Sequence, residues 1–287
     1  MTHARFAAVL APAILAVLAT LGAPAAHAHR TWLLPSATVL TGKDALVSVD
    51  AAVSEDLFEF DTNALQLDGL SVTAPDGSVL PAENRSTARR RSSFDLKLTQ
   101  PGTYRIANVS ETVAASYKVG GETRRWRGNP DAYAAFLKEL PAGAQELRAT
   151  RMQNRVETFV TYDKPEGRAF VPAGVGLELM PQTPPTDLSV GDTSSFVLLL
   201  DGKPVADTDV TILRGGNRYR YKMGEIALKT DAQGRFSVKW PEAGRYWIGA
   251  SHGRRPGDMV GEDPASAAAQ QPVRRAGYSA TVEVLPQ

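Results

Sequence analysis

The sequence predicts a mostly β protein made of two antiparallel β-sandwich modules, the first carrying a short helical insertion. Three observations predict it. Short apolar runs of period two recur along the chain, separated by turn signals such as Pro101-Gly102, Asp201-Gly202 and Gln233-Gly234. Helical spacing is confined to one stretch, NPDAYAAFLKELPAGAQELR. A proline-rich break, Pro181 to Pro185, reads as a linker, so the expected modules are residues 29–182 and 183–287.

Residues 1–28 have the anatomy of a secretory leader. Arg5 supplies the positive start, Phe6 to Leu21 is the apolar run, and Ala26 and Ala28 stand at −3 and −1 of a cleavage site. Cleavage after Ala28 makes His29 the first residue of the mature chain; Ala23 and Ala25 also fit the rule, so cleavage after Ala25 stays open. The apolar run is short for a membrane span, which needs roughly 20 residues. The expectation is a periplasmic protein without a transmembrane anchor after processing.

Beyond the leader, DALVSVDAAV alternates as a strand, and LSVTAPDGSVL reads as strand, Pro-Asp-Gly turn, strand. In SSFDLKLTQPGTYRIANV, Phe94, Leu96 and Leu98 alternate, then Tyr104 and Ile106 after the turn. Such short runs suit an antiparallel sandwich. The helix opens with Asn129 as N-cap and Pro130 at the first helical position, places Tyr133, Phe136, Leu137 and Leu140 on one face, and stops at Pro141. RVETFVTYDKP returns to strand. In the second module, DTSSFVLLLDGKPVADTDVTIL predicts two strands, IALKTDAQGRFSVKWPEAGRYWIGAS three, and GYSATVEVLP a closing one. Arg254 to Arg275, rich in Gly, Pro and Ala, reads as a long mobile surface loop.

Composition excludes several classes. Lys and Arg number 32 against 31 Asp and Glu, so there is no global attraction to nucleic acid or anionic membrane. There is no cysteine, which removes both disulfides and thiolate ligands. Neither DTSSF nor GASHG is a nucleophile elbow, and no phosphate loop or zinc-hydrolase histidine pair is present. The reading is therefore non-catalytic.

The block LKTDAQGRFSVKWPEAGRYWIGAS, with its TDxxGxF turn after DGKPVADTDV, resembles the immunoglobulin-like modules of the carboxypeptidase-regulatory and collagen-adhesin B type. From Ala28 to Leu285 the order HRTWLLPS, SEDLFEFD, VETFVTYDKP, GVGLELMPQTPPTDLSVGD resembles a narrower group. It is a periplasmic domain-of-unknown-function family often labelled as a periplasmic component of cobalt or nickel uptake. That resemblance implies metal handling and a membrane metal-uptake transporter as partner.

The residues offer their own route to a metal. A free α-amine and the Nδ1 of the same histidine close a chelate ring on Ni(II), Co(II) or Cu(II). At neutral pH the metal competes with protons, because an α-amine titrates near 7.7–8.0 and an imidazole near 6.5. Of the four histidines, only His29 and His252 survive cleavage after Ala28, and His252 in GASHGRR is either a second ligand or a surface residue. In SEDLFEFD the acids Glu55, Asp56, Glu59 and Asp61 cluster; an extended backbone sets Glu55, Glu59 and Asp61 on one face, as cation ligands or as a solvated surface. Glu178 reads as a solvated strand residue and Trp32 as a core anchor. Arg89-Arg90-Arg91 reads as a solvated turn, whereas Arg124, Arg125, Trp126 and Arg127 form a cluster able to bind an aromatic ring or a carboxylate. Three functions compete: a periplasmic carrier of nickel, cobalt or copper, or of a metal chelate; a secreted module binding protein or glycan; and a copper oxidase with a two-histidine nitrogen brace.

Overall fold

The computed structural model describes residues 29–165, 170–254 and 256–287, so the leader lies outside the described residues. The first part of the chain forms β1 (Arg30–Pro35), β2 (Val39–Leu40), β3 (Leu46–Ser54), β4 (Asn63–Ala64), β5 (Leu70–Thr73), β6 (Val79–Leu80), β7 (Glu83–Thr87) and β8 (Ser92–Lys97). Then come β9 (Gly102–Val119), β10 (Glu122–Gly128), helix α1 (Pro130–Lys138) and β11 (Gln145–Tyr162). The rest forms β12 (Leu177–Pro181), β13 (Thr193–Leu200), β14 (Lys203–Pro204), β15 (Asp209–Arg214), β16 (Ile226–Lys229), β17 (Arg235–Lys239), β18 (Gly244–His252) and β19 (Val273–Val284). The mostly β, antiparallel architecture expected from the alternation is what the chain adopts. Among the described residues no helix is long and apolar enough to cross a membrane.

Three sheets build the layers. One runs β1-β3-β8-β7 with β4 beside β3; a four-stranded sheet joins β12, β13, β14 and β17. The third, of ten strands, runs β16-β15-β18-β19-β11-β9-β5-β6, with β10 beside β9 and β2 beside β11. The long strand β11 pairs antiparallel with β9 and parallel with β19. Side chains alternate across a strand, and β11 uses both faces. Val156 and Val160 enter a core with Val47, Phe94, Tyr104 and Ile106. Phe159 enters another with Phe196, Trp240, Ile248 and Tyr278. Strand β12 belongs to the latter, to which it contributes Leu177 and Leu179.

The helix begins as its cap residues dictate. Asn129 is extended, its Oδ1 accepts the Ala132 N–H at 2.8 Å, and Pro130 follows in the first turn. Tyr133 and Phe136 pack on Val113, Ala115, Leu147 and Ala149 of β9 and β11. The stretch expected to be a mobile loop is tied to this helix and to β11. Leu147 and Glu262 exchange backbone hydrogen bonds, and the Tyr133 hydroxyl donates to the Ala269 carbonyl at 2.7 Å. Its alanines supply the anchor that its Gly and Pro content conceals, since Ala269 is buried.

Candidate functional site

The start of β1 lies across the outer face of β18 and β19. Three groups hold it there. Trp247 Nε1 donates to the Thr31 carbonyl at 3.0 Å, Ser279 Oγ donates to the same oxygen at 2.9 Å, and the Arg30 guanidinium stands 5.8 Å from the Trp247 ring. The ring can lie flat on the sheet because its neighbour on that face is Gly249: a Cβ there would meet Trp247 Cη2 at 1.9 Å. The consequence is that His29 sits at the mouth of a groove of about 400 Å³ that is also lined by Asp209, Glu225, Asn154 and Ser251. Its Nε2 is 3.4 Å from Glu55 Oε1. Burial lowers the Arg30 pKa, with Glu225 and Asp56 opposing it.

Glu55 follows β3 in a turn, not in the extended strand that the alternation of SEDLFEFD suggested. Phe58 adopts φ 66°, unusual for a bulky residue. It is held by an edge-on contact with Trp32, ring centroids 5.6 Å apart, and by a close approach to Gly215. Trp32 is fully buried and donates to Ser54 Oγ at 2.8 Å, the core anchor expected of it.

The four acids of the turn do not converge on one point; two of them share Arg218. Glu55 faces His29. Asp56 accepts from Asn217 Nδ2 at 3.2 Å and lies 3.8 Å from Arg218, while Glu59 is 3.2 Å from Arg218. Asp61 closes the turn, its carboxylate accepting the N–H groups of Glu55 at 3.0 Å and Asp56 at 2.8 Å. Among the described residues no three of His, Cys, Asp and Glu come together in a way that would hold a metal ion.

Burial alone would raise the Asp61 pKa, but the hydrogen bonds from Asp56, Thr62 and Glu55 together lower it below 3.8. A lowered carboxyl stabilises the fold above its ordinary value of 3.8, and that contribution is lost as pH falls through the lower folded value. Replacing Asp61 by Ala is expected to remove about 1 kcal/mol at pH 7, because two backbone donors lose their acceptor and water replaces it only in part. In urea unfolding the difference from wild type should shrink in acid below that range. A difference that does not change with pH would show that the carboxylate charge is not what holds the turn.

His252 is exposed at the end of β18, with Nδ1 3.4 Å from Thr208 Oγ1. It pairs with Ala276, which belongs to the core face of the sheet, whereas its neighbour Ser251 pairs with Gly277 on the groove face. His29 and His252 therefore approach opposite faces of one sheet.

Two further expectations change. Glu178 is not a solvated strand residue. It is fully buried, and its carboxylate accepts the N–H groups of Ala173 and Gly174, both at 2.7 Å. It belongs to a buried charged cluster. Arg105 Nη2 is 2.8 Å from Glu157 and 3.6 Å from Glu178, Arg155 Nη1 is 3.0 Å from Glu157, and the Tyr278 hydroxyl donates to Glu157 at 2.7 Å. The sequence did carry a signal for it, namely lone charges inside otherwise apolar strands in TYRIA and RVETF. Trp126 gives one face of its ring to Phe136, with centroids 4.4 Å apart and planes 14° from parallel, so that face is closed to a ligand.

A family model described as "Domain of unknown function (DUF4198)" matches residues 26–254. No curated protein matches the chain. Among solved structures, the D0-D1 domain of intimin is 14% identical over 88% of this chain and 97% of that chain, with a TM-score of 0.21. Trypsin-activated alpha-2-macroglobulin from Escherichia coli is 15% identical over 88% of this chain but 16% of its own, also with a TM-score of 0.21. Likenesses at that level carry no argument about function.

Proposed function

The chain belongs to the DUF4198 domain-of-unknown-function family, and from that premise we propose that it is a periplasmic protein that binds Ni(II) or Co(II), and also Cu(II), through a mature N-terminal His29. The observation that carries this reading is the pairing of His29 Nε2 with Glu55 at the mouth of the groove. A histidine that ligates through one ring nitrogen usually gives its other N–H to a carboxylate, which fixes the tautomer and the ring. A proton on Nε2, 3.4 Å from Glu55, would leave Nδ1 its lone pair, and cleavage after Ala28 would add the α-amine beside it. Both are donors that suit these metals.

The donor set is partial. Residue 29 supplies two nitrogens; Asp209 and Glu225 line the same groove as fixed negative charges and, among the described residues, do not gather around His29 into a ligand cluster. An ion held this way keeps coordination positions for a small chelator or for the receiving protein, as a cargo ion must if it is to be handed to a membrane metal-uptake transporter. The copper-oxidase alternative needs a second imidazole beside His29, and His252 faces the other side of the sheet.

Intact mass, N-terminal sequencing and metal analysis of protein taken from the periplasm test the proposal together. The expected result is a chain starting at His29 that takes up one Ni(II), Co(II) or Cu(II). A start at Ala26, a retained leader, or no uptake of any of the three would refute it. The fold itself is expected to be indifferent to metal, because its main cores are apolar and among the described residues no ligand cluster staples them. Chelator should shift the melting temperature by no more than mass action on a bound ligand gives. An apo-protein that unfolds outright would contradict this.

A further inference from the structure

Beyond the ends of the two main cores, β10, β9 and the first half of β11 continue as a three-stranded extension. Helix α1 covers one face of it through Trp126, Tyr133 and Phe136. On the other face the register sets up a trough. Arg125 and Arg148 both pair with Ser116, and Arg127 and Thr150 both pair with Ala114. Residues directly opposite each other share a face, so two small side chains on the central strand form a floor between taller walls. Neighbouring strands lie about 5 Å apart, which puts the backbones of the Arg125 and Arg148 walls about 10 Å from each other. The space between them is about 510 Å³, and Met152 also lines it.

The charge in this trough is uncompensated on one side only. Arg148 donates to the Met259 carbonyl at 2.9 Å and lies 3.6 Å from Glu146. Among the described residues, Arg125 and Arg127 have no ion-pair partner, and both are exposed. A channel with a floor of Ala114 and Ser116, a Met and aliphatic arginine stems, rimmed by guanidinium groups, fits a molecule that has an apolar body and an anionic head. The stems cover the apolar part, and the forked N–H groups match a carboxylate.

We propose that this trough is a binding site for an amphipathic carboxylate, separate from the groove at His29. The apolar body lies over Ala114 and Met152, and the carboxylate is held by Arg125 and Arg127. The test is calorimetric titration of the mature protein with laurate below its critical micelle concentration, beside citrate and phosphatidylglycerol vesicles. Laurate should bind at one site per chain. The double variant Arg125→Ala/Arg127→Ala should weaken it at least about tenfold with unchanged melting, since it removes both charge-assisted donors to the carboxylate. Ala114→Leu, which fills the floor and leaves the charge intact, should weaken it as well. His29→Ala should leave it unaffected. No laurate binding, or equal binding by the double arginine variant, would overturn the proposal. Citrate binding as tightly as laurate would overturn the apolar half of it. Arginine-dependent binding to the vesicles without binding of free laurate would make the surface a membrane contact instead.

Discussion

Replacing Arg105 by Met should destabilise the protein by about 3–5 kcal/mol, the usual consequence of leaving a buried charge without its partner. Arg105 is enclosed by Glu157, Glu178 and Tyr278 between the two cores. Burial by itself would lower its pKa, but Glu157, Tyr278 and Glu178 outweigh burial and hold it above its ordinary value. Burial and the adjacent Glu157 drive the Tyr278 hydroxyl well above its own, so it stays a neutral donor. Without Arg105, two buried carboxylates share Arg155 alone. A chain of this size loses about 2–4 °C per kcal/mol, so the melting temperature should fall by roughly 6–20 °C. The double variant Arg105→Met/Glu157→Gln restores charge balance and should recover part of the loss. A single-variant loss below about 1 kcal/mol would mean that the cluster is not a paired unit.

The second large effect concerns the terminal chelate. His29→Ala removes the imidazole and keeps the amine. An alanine inserted between Ala28 and His29 keeps the imidazole and moves the amine out of reach. Each change should weaken Ni(II) or Cu(II) binding at least about tenfold, or about 1.4 kcal/mol. Wild-type affinity should also fall between about pH 8 and pH 6, where an amine and an imidazole take up protons in competition with the metal. His252→Ala, on the opposite face of the sheet, should change affinity less than about twofold. Calorimetric titration of the three variants, each checked by mass for its first residue, decides the matter. Full affinity in the inserted variant would show that the amine is not a ligand and that His29 is an ordinary residue beside a cleavage site.

Much of the fold was legible because its signals are local. Alternation marks β3, β8 and β13, the Pro-Asp-Gly turn separates β5 from β6, and Asn129-Pro130 opens the helix where it should. What could not be read is set by distant partners. The parallel pairing of Thr158 with Thr281 joins residues 123 apart in the chain, and no local pattern announces it. The misreading of Glu178 has the same origin. In GLELMP, alternation says that it faces away from Leu177 and Leu179, and only the tertiary fold reveals that the space on that side holds Arg105 and Arg155. His29 and the acid-rich turn were visible from residue type, but not the turn itself, because Phe58 leaves the extended region only where Trp32 and Gly215 receive it.

Strand β11 serves both cores at once, and this bears on how the protein can be taken apart. A recombinant fragment starting at the proline-rich break would carry β19 with its β11-facing edge bare, Phe159 missing from its interior and the Tyr278 hydroxyl deprived of Glu157. A fragment ending there would keep β11 but expose Phe159 to solvent. Bare edges and uncovered aromatic faces invite self-association, so each half made alone should aggregate. Co-expressed halves should find each other and restore one soluble assembly, making the break near Pro185 a place to split the chain and not a place to divide it into independent parts.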